Sequence, residues 1–113
     1  MKTLALSSTE NILLPKMGIM TQLIELSRHD YIYVKNHLHE NTPLVIELDK
    51  SRYWDENALA VFYKGFKLGY LNQSISKVVK KLMTKYGGVS AILKHKTSAK
   101  IPFDGLDILI KIG

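Results

Sequence analysis

Hydrophobic positions follow two different rhythms along this chain. Through residues 1–27, Ile12, Leu13, Leu14, Met17, Ile19, Met20, Leu23, Ile24 and Leu26 are apolar, but Pro15 and Gly18 interrupt any single helix. The spacing predicts at most a short helix over about residues 18–26. Residues 1–27 therefore read as an N-terminal extension. So much apolar surface is expected to pack on the domain that follows or on a second copy, as a homodimer. From Arg28 the period changes to two. In DYIYVK the alternation puts Ile32 and Val34 toward a core, with Tyr31 and Tyr33 outward. After Pro43, LVIEL places Leu44, Ile46 and Leu48 on one face. LAVFY (59–63) is β-branched and aromatic, and Lys64-Gly65 reads as a hairpin turn into FKLGYL.

One helix is clear, over about residues 74–86. Ile75, Val78, Val79, Leu82, Met83 and Tyr86 make one apolar stripe, with Ser74 as N-cap and Gly87 as the left-handed stop. Two strands close the chain: VSAILKH, with Val89, Ala91 and Leu93 inward, and LDILIKI, with Leu106, Ile108, Ile110 and Ile112 on one face. Three or four strands, a helix and two strands imply a mainly β (α+β) domain over residues 28–113. Short antiparallel strands of this kind curl into a small, partly closed barrel.

Charge sharpens this picture. The net charge is +6, and its distribution is uneven. From Lys64 to Phe103 there are nine lysines and no Asp or Glu, whereas Met1–Tyr63 holds eight acidic and six basic residues. A domain half-coated in lysine suits a polyanion, although a solvated basic face is the plainer reading. The chain has no cysteine, which excludes disulfides, thiolate zinc sites and cysteine nucleophiles. No stretch reaches the length of a membrane span, and a soluble cytoplasmic protein with no membrane partner is expected.

Catalysis finds little support. There is no Gly-x-Ser-x-Gly elbow and no phosphate-cradling Gly-x-x-x-x-Gly-Lys. His37 and His39 form an H-x-H with Glu40 nearby, but no third ligand follows at useful spacing, so no metal or other cofactor is expected. The carboxylate pairs Glu47/Asp49 and Asp55/Glu56 are of a kind common on surfaces. The aromatics are more informative. Tyr31, Tyr33, Tyr53, Trp54 and Tyr70 near a lysine-rich face provide what stacking of unpaired bases needs, or else they cap the open end of the barrel. Asp55 repels phosphates, which leaves an Asx-turn with Asn57 or an acceptor for a hydroxyl or base N–H.

Two motifs then point to a family. Trp54-Asp55-Glu56-Asn57-Ala58-Leu59-Ala60-Val61 and Leu68-Gly69-Tyr70-Leu71, followed by a basic amphipathic helix, resemble the HIRAN domain over about residues 28–113. The resemblance implies a small β-barrel related to OB and SH3-like folds, of the stand-alone bacterial type. It implies a non-catalytic module that binds single-stranded DNA or captures its 3′-hydroxyl end in DNA repair. Fusions in the family join such domains to helicases and nucleases. By that resemblance Trp54 stands at the stacking position and Asp55 at the acidic residue that meets the terminal nucleotide. Arg52, Tyr33, Tyr70 and Gln73 fall on positions lining the same pocket. From the charge pattern, apart from the resemblance, lysines of the helix such as Lys77 and Lys81 are expected to hold the backbone. The chain departs from the end-binding pattern at Ile32 (an Arg there), Asn36 (a Gly), Tyr53 and Asn72 (often Pro) and Gln73 (a Lys); a further pocket aromatic falls near His95. The alternative expectation is a docking module for a DNA-processing protein.

Overall fold

A computed structural model describes residues 18–97 and 105–112. The elements are β1 (Gly18–Gln22), α1 (Tyr31–Val34), β2 (Pro43–Leu48), β3 (Leu59–Tyr63), β4 (Phe66–Tyr70), α2 (Gln73–Tyr86), β5 (Val89–Thr97) and β6 (Gly105–Ile112), with single 3-10 turns at Leu26–Arg28 and Lys35–His37. The six strands form one antiparallel sheet in the order β1-β6-β5-β2-β3-β4.

Alternation fixes which face is buried. Leu106, Ile108, Ile110 and Ile112 of β6, Ala91 and Leu93 of β5, and Leu44 and Ile46 of β2 all lie in the core, as their period of two requires. Leu48, at the end of β2, is instead exposed. Register shifts at Val61/Phe62 and Leu93/His95 bend the sheet. Curling brings its two edges together. Directly after β1, the Leu23 N–H donates to the Leu106 carbonyl (3.1 Å). Ile24 and Tyr70 then exchange both backbone bonds, at 2.9 and 3.0 Å. One residue pair thus ties the β1 end of the sheet to β4, and the partly closed barrel is complete. Gly69 is what permits this approach, because a Cβ there would lie 2.4 Å from the Ile24 carbonyl oxygen.

α2 packs Ile75, Val79, Leu82, Met83 and Tyr86 against the core. The predicted stripe needs two corrections. Val78 is exposed, and the buried place is taken by Ser76, whose hydroxyl donates to the Leu71 carbonyl (3.4 Å). The N-cap is Asn72 rather than Ser74: its side chain accepts from the Ile75 N–H (3.0 Å). Gly87, at φ 83, ends the helix as expected, and its N–H donates to Met83. Lys64 and Gly65, at φ 46 and 86, make the predicted two-residue hairpin turn.

The N-terminal half holds the larger surprises. Residues 18–22 form a strand paired with β6, not the start of a helix, so the sheet begins ahead of residue 28. DYIYVK is a helical turn, not a strand. Tyr31 and Val34, three apart, face the core, while Ile32 and Tyr33 point out. Over four residues a period of two and one turn of helix differ at two positions only, Tyr31 and Ile32, and both are inverted here. The 1–17 part of the expected extension, and with it most of the expected dimer contact, lies outside the described residues.

Candidate nucleic-acid interface

The loop joining β2 to β3 is built from turn hydrogen bonds at three-residue intervals. Arg52 N–H donates to the Asp49 carbonyl (3.2 Å), Asp55 N–H to Arg52 (3.0 Å) and Ala58 N–H to Asp55 (3.1 Å). The Asp49 N–H returns to the Ala58 carbonyl (2.9 Å) and closes the base. Three consecutive turns therefore meet at Asp49, Arg52, Asp55 and Ala58. The middle turn lifts Tyr53 and Trp54 into solvent, 88% and 68% exposed, with their rings edge to face at 5.2 Å.

The carboxylates hold these turns. Asp55 Oδ1 accepts the Asn57 N–H (3.0 Å), which is the Asx-turn read from the sequence. Asp49, read there as half of a surface carboxylate pair, is the anchor of the loop. Its Oδ1 accepts from the Ser51 N–H (3.0 Å) and hydroxyl. Its Oδ2 accepts from Lys67 Nζ (2.7 Å) and the Tyr70 hydroxyl. The bonds from Lys67, Ser51 and Tyr70 hold this carboxyl well below the usual carboxylate range, against the opposing effect of burial. Burial alone would lower Lys67, but the bonds to Asp49 and to the Tyr70 hydroxyl (3.1 Å) outweigh it and raise the ammonium above its usual value.

Lys67 also joins the loop to α1. Its N–H donates to Asp30 Oδ2 (3.3 Å) and its carbonyl accepts from the Asp30 N–H (2.8 Å); Asp30 in turn accepts from the Tyr33 N–H (3.0 Å). Tyr33, 75% exposed, and Trp54 are thus both held on β4 through one lysine. Arg52 is the second support of the loop. Its guanidinium makes two bonds to Glu25, at 2.9 and 2.7 Å, and sits 3.7 Å from the Tyr70 ring centroid and 5.5 Å from that of Trp54. The Arg52 bond lowers Glu25, and the pairing with Glu25 raises Arg52. A buried ring, a guanidinium and an exposed indole form one supported series. His29 completes it, edge-on to Tyr70 at 5.3 Å and 3.5 Å from Glu25.

Arg52, Trp54 and Asp55 are therefore brought together at one rim, the β2–β3 loop, and Tyr33 is tied to the β4 strand beneath it through Asp30 and Lys67. Tyr70, expected among the exposed aromatics, is 4% exposed with Arg52 over its ring, because it is the last residue of the strand that closes the barrel. It supports the rim from below. Gln73 is exposed on the first turn of α2. Lys77 and Lys81 stand further along α2, beside Asn57. Glu25 and Lys67 escaped sequence reasoning, since a lone acid before a 3-10 turn and one lysine among nine carry no local signal. The pattern Asp49-x-Ser51 could have revealed the first turn. His37 and His39 are exposed, and no group of three potential metal ligands exists among the described residues. Nor is any helix among them long and apolar enough to cross a membrane.

Comparison with known proteins agrees with this architecture. The HIRAN domain family model matches residues 21–110. The HIRAN domain of human HLTF superposes with a TM-score of 0.65 at 13% identity, covering 84% of this chain and 74% of that one. A protein from Lactobacillus plantarum gives a TM-score of 0.65 at 14% identity, covering 86% and 98%. At such identities the two structures speak for the fold alone. No curated protein matches the sequence.

Proposed function

The chain belongs to the HIRAN domain family, and from that premise we propose that it is a non-catalytic module binding single-stranded DNA at the rim formed by Arg52, Trp54 and Asp55, and at Tyr33, with a preference for 3′-hydroxyl ends. The observation that carries the reading is the exposure of Tyr53 and Trp54 on a loop whose every turn is hydrogen-bonded. Large aromatics are costly in water, and here a rigid scaffold presents them beside a cation and a fixed carboxylate. A base can stack on Trp54 with little ordering cost. Asp55 already spends one oxygen on its turn, and the other remains for a sugar hydroxyl. A terminal phosphate would meet that carboxylate with like charge. Such a role belongs to the processing or repair of DNA ends.

Trp54 is the only tryptophan, so its fluorescence reports binding directly. Short single-stranded oligonucleotides titrated at low salt should quench it, with affinity falling as salt rises. Trp54→Ala, followed by the anisotropy of a dye-labelled oligonucleotide because the variant has no tryptophan, should weaken binding about 5- to 150-fold, the loss of one stacking contact worth about 1–3 kcal/mol. No binding at low salt would overturn the reading. One observation favours a second role, docking on a DNA-processing protein such as a nuclease or helicase. Ile32 is 66% exposed beside Tyr33, an apolar pair suited to a protein partner. Binding to such a partner with little salt dependence would support it.

A further inference from the structure

Where the loop returns to β3, its last residues meet α2. Lys80 Nζ donates to the Glu56 carbonyl (2.9 Å) and fixes the loop against the helix. Beside this bond lies an open groove lined by Asn57, Lys77, Lys80, Lys81, Thr84 and Lys85. No carboxylate lines it. Lys77, Lys81 and Lys85 are four residues apart and form one row along the helix, about 6 Å per step and about 12 Å in all. Among the described residues none of the three makes an ion pair. The helix dipole accounts for Lys85, the one cation in the last turn, but not for Lys77 near the first. A compact anion would engage one end of such a row, whereas a chain of phosphates engages all of it. Trp54 and Asn57 are separated by at most about 10 Å of chain, so a strand stacked at the rim can reach the groove.

We infer that this groove is a second contact for the sugar–phosphate backbone of the strand whose end lies at the rim, so that the footprint extends along α2. The inference rests on the rim being a single-strand site, and its test separates the two. The triple variant Lys77→Gln/Lys81→Gln/Lys85→Gln spares Lys80, which holds the loop. It is titrated with oligonucleotides of about 4 and about 16 nucleotides, the range of site sizes on OB-type folds. With the long oligonucleotide the slope of log affinity against log salt should shrink by about 2, close to 0.7 for each lost phosphate contact. With the short one, affinity and Trp54 quenching should match the wild type. An unchanged slope with the long oligonucleotide overturns the inference. If the long oligonucleotide binds through the lysines while the short one fails to bind at all, the groove is supported and the rim reading is lost.

Discussion

Gly69→Ala tests the closure on which the rim depends. Gly69 does not have a positive φ, so alanine costs nothing there in backbone conformation. The cost is steric. The new methyl would lie 2.4 Å from the Ile24 carbonyl oxygen and 3.5 Å from its carbon, about 1 Å short of van der Waals contact. Backbone must move, and the strand leaving β1 separates from β4. Both Ile24–Tyr70 hydrogen bonds (2.9 and 3.0 Å) are lost or stretched. Two such bonds contribute about 2 kcal/mol, and overpacking adds about 1–3 kcal/mol. The expected loss is therefore about 3–5 kcal/mol, a large share of the roughly 5–15 kcal/mol that stabilises a typical domain. At about 4 °C per kcal/mol, Tm should fall by about 12–20 °C. Glu25 follows Ile24, so Arg52 loses its partner as well, and binding at the rim should weaken. Urea and thermal unfolding followed by circular dichroism measure the effect. Gly65→Ala is the control: that residue has φ +86 and nothing within 4 Å of a Cβ, so only the conformational penalty of about 1–2 kcal/mol applies. A Gly69→Ala variant no less stable than Gly65→Ala would refute the account of the closure.

Two further predictions concern the loop carboxylates. Asp49 is held below the usual carboxylate range in the folded state. Its contribution is thus complete above the unfolded pKa, about 3.9, and is lost progressively as pH falls below about 4. Asp49→Asn should cost about 2–3 kcal/mol at neutral pH, for charge-assisted bonds lost, and urea midpoints should show the gap to the wild type narrowing on acidification; a gap independent of pH would refute this. Asp55→Asn keeps an oxygen to accept the Asn57 N–H and should leave stability within about 0.5 kcal/mol, whereas Asp55→Ala should cost about 1 kcal/mol through the lost turn. Thermal melts of the two variants, with binding compared on 3′-hydroxyl and 3′-phosphate oligonucleotides, separate the turn-forming role of Asp55 from recognition.

The strands of the barrel are legible because alternation is a local signal: Leu106, Ile108, Ile110 and Ile112 announce one buried face without reference to the rest of the chain. Gly87 and the Lys64-Gly65 turn are readable for the same reason, since each imposes a backbone conformation few residues accept. What escapes is set by distant partners. Nothing near Gly18–Gln22 in sequence shows that β6, some ninety residues on, will extend it into a strand. Tyr31 and Ile32 exchange faces because Asp30 is pinned to Lys67, 37 residues away. In the candidate site, Trp54 and Asp55 stand out locally, a lone tryptophan and a carboxylate directly after two aromatics. The support beneath them comes from four separate elements. Tyr70 looks like an exposed aromatic until the closing contact with Ile24 places it under Arg52.

The central claim is recognition of a strand end at the rim, and the most direct measurement compares two oligonucleotides identical except for a 3′-hydroxyl or a 3′-phosphate. Titrated against the wild-type protein by Trp54 fluorescence, the hydroxyl form should bind about 10- to 150-fold more tightly, the worth of one hydrogen bond to a charged group. In Asp55→Asn the difference should nearly vanish while the protein remains folded. Equal affinity of the wild type for both ends would contradict the claim.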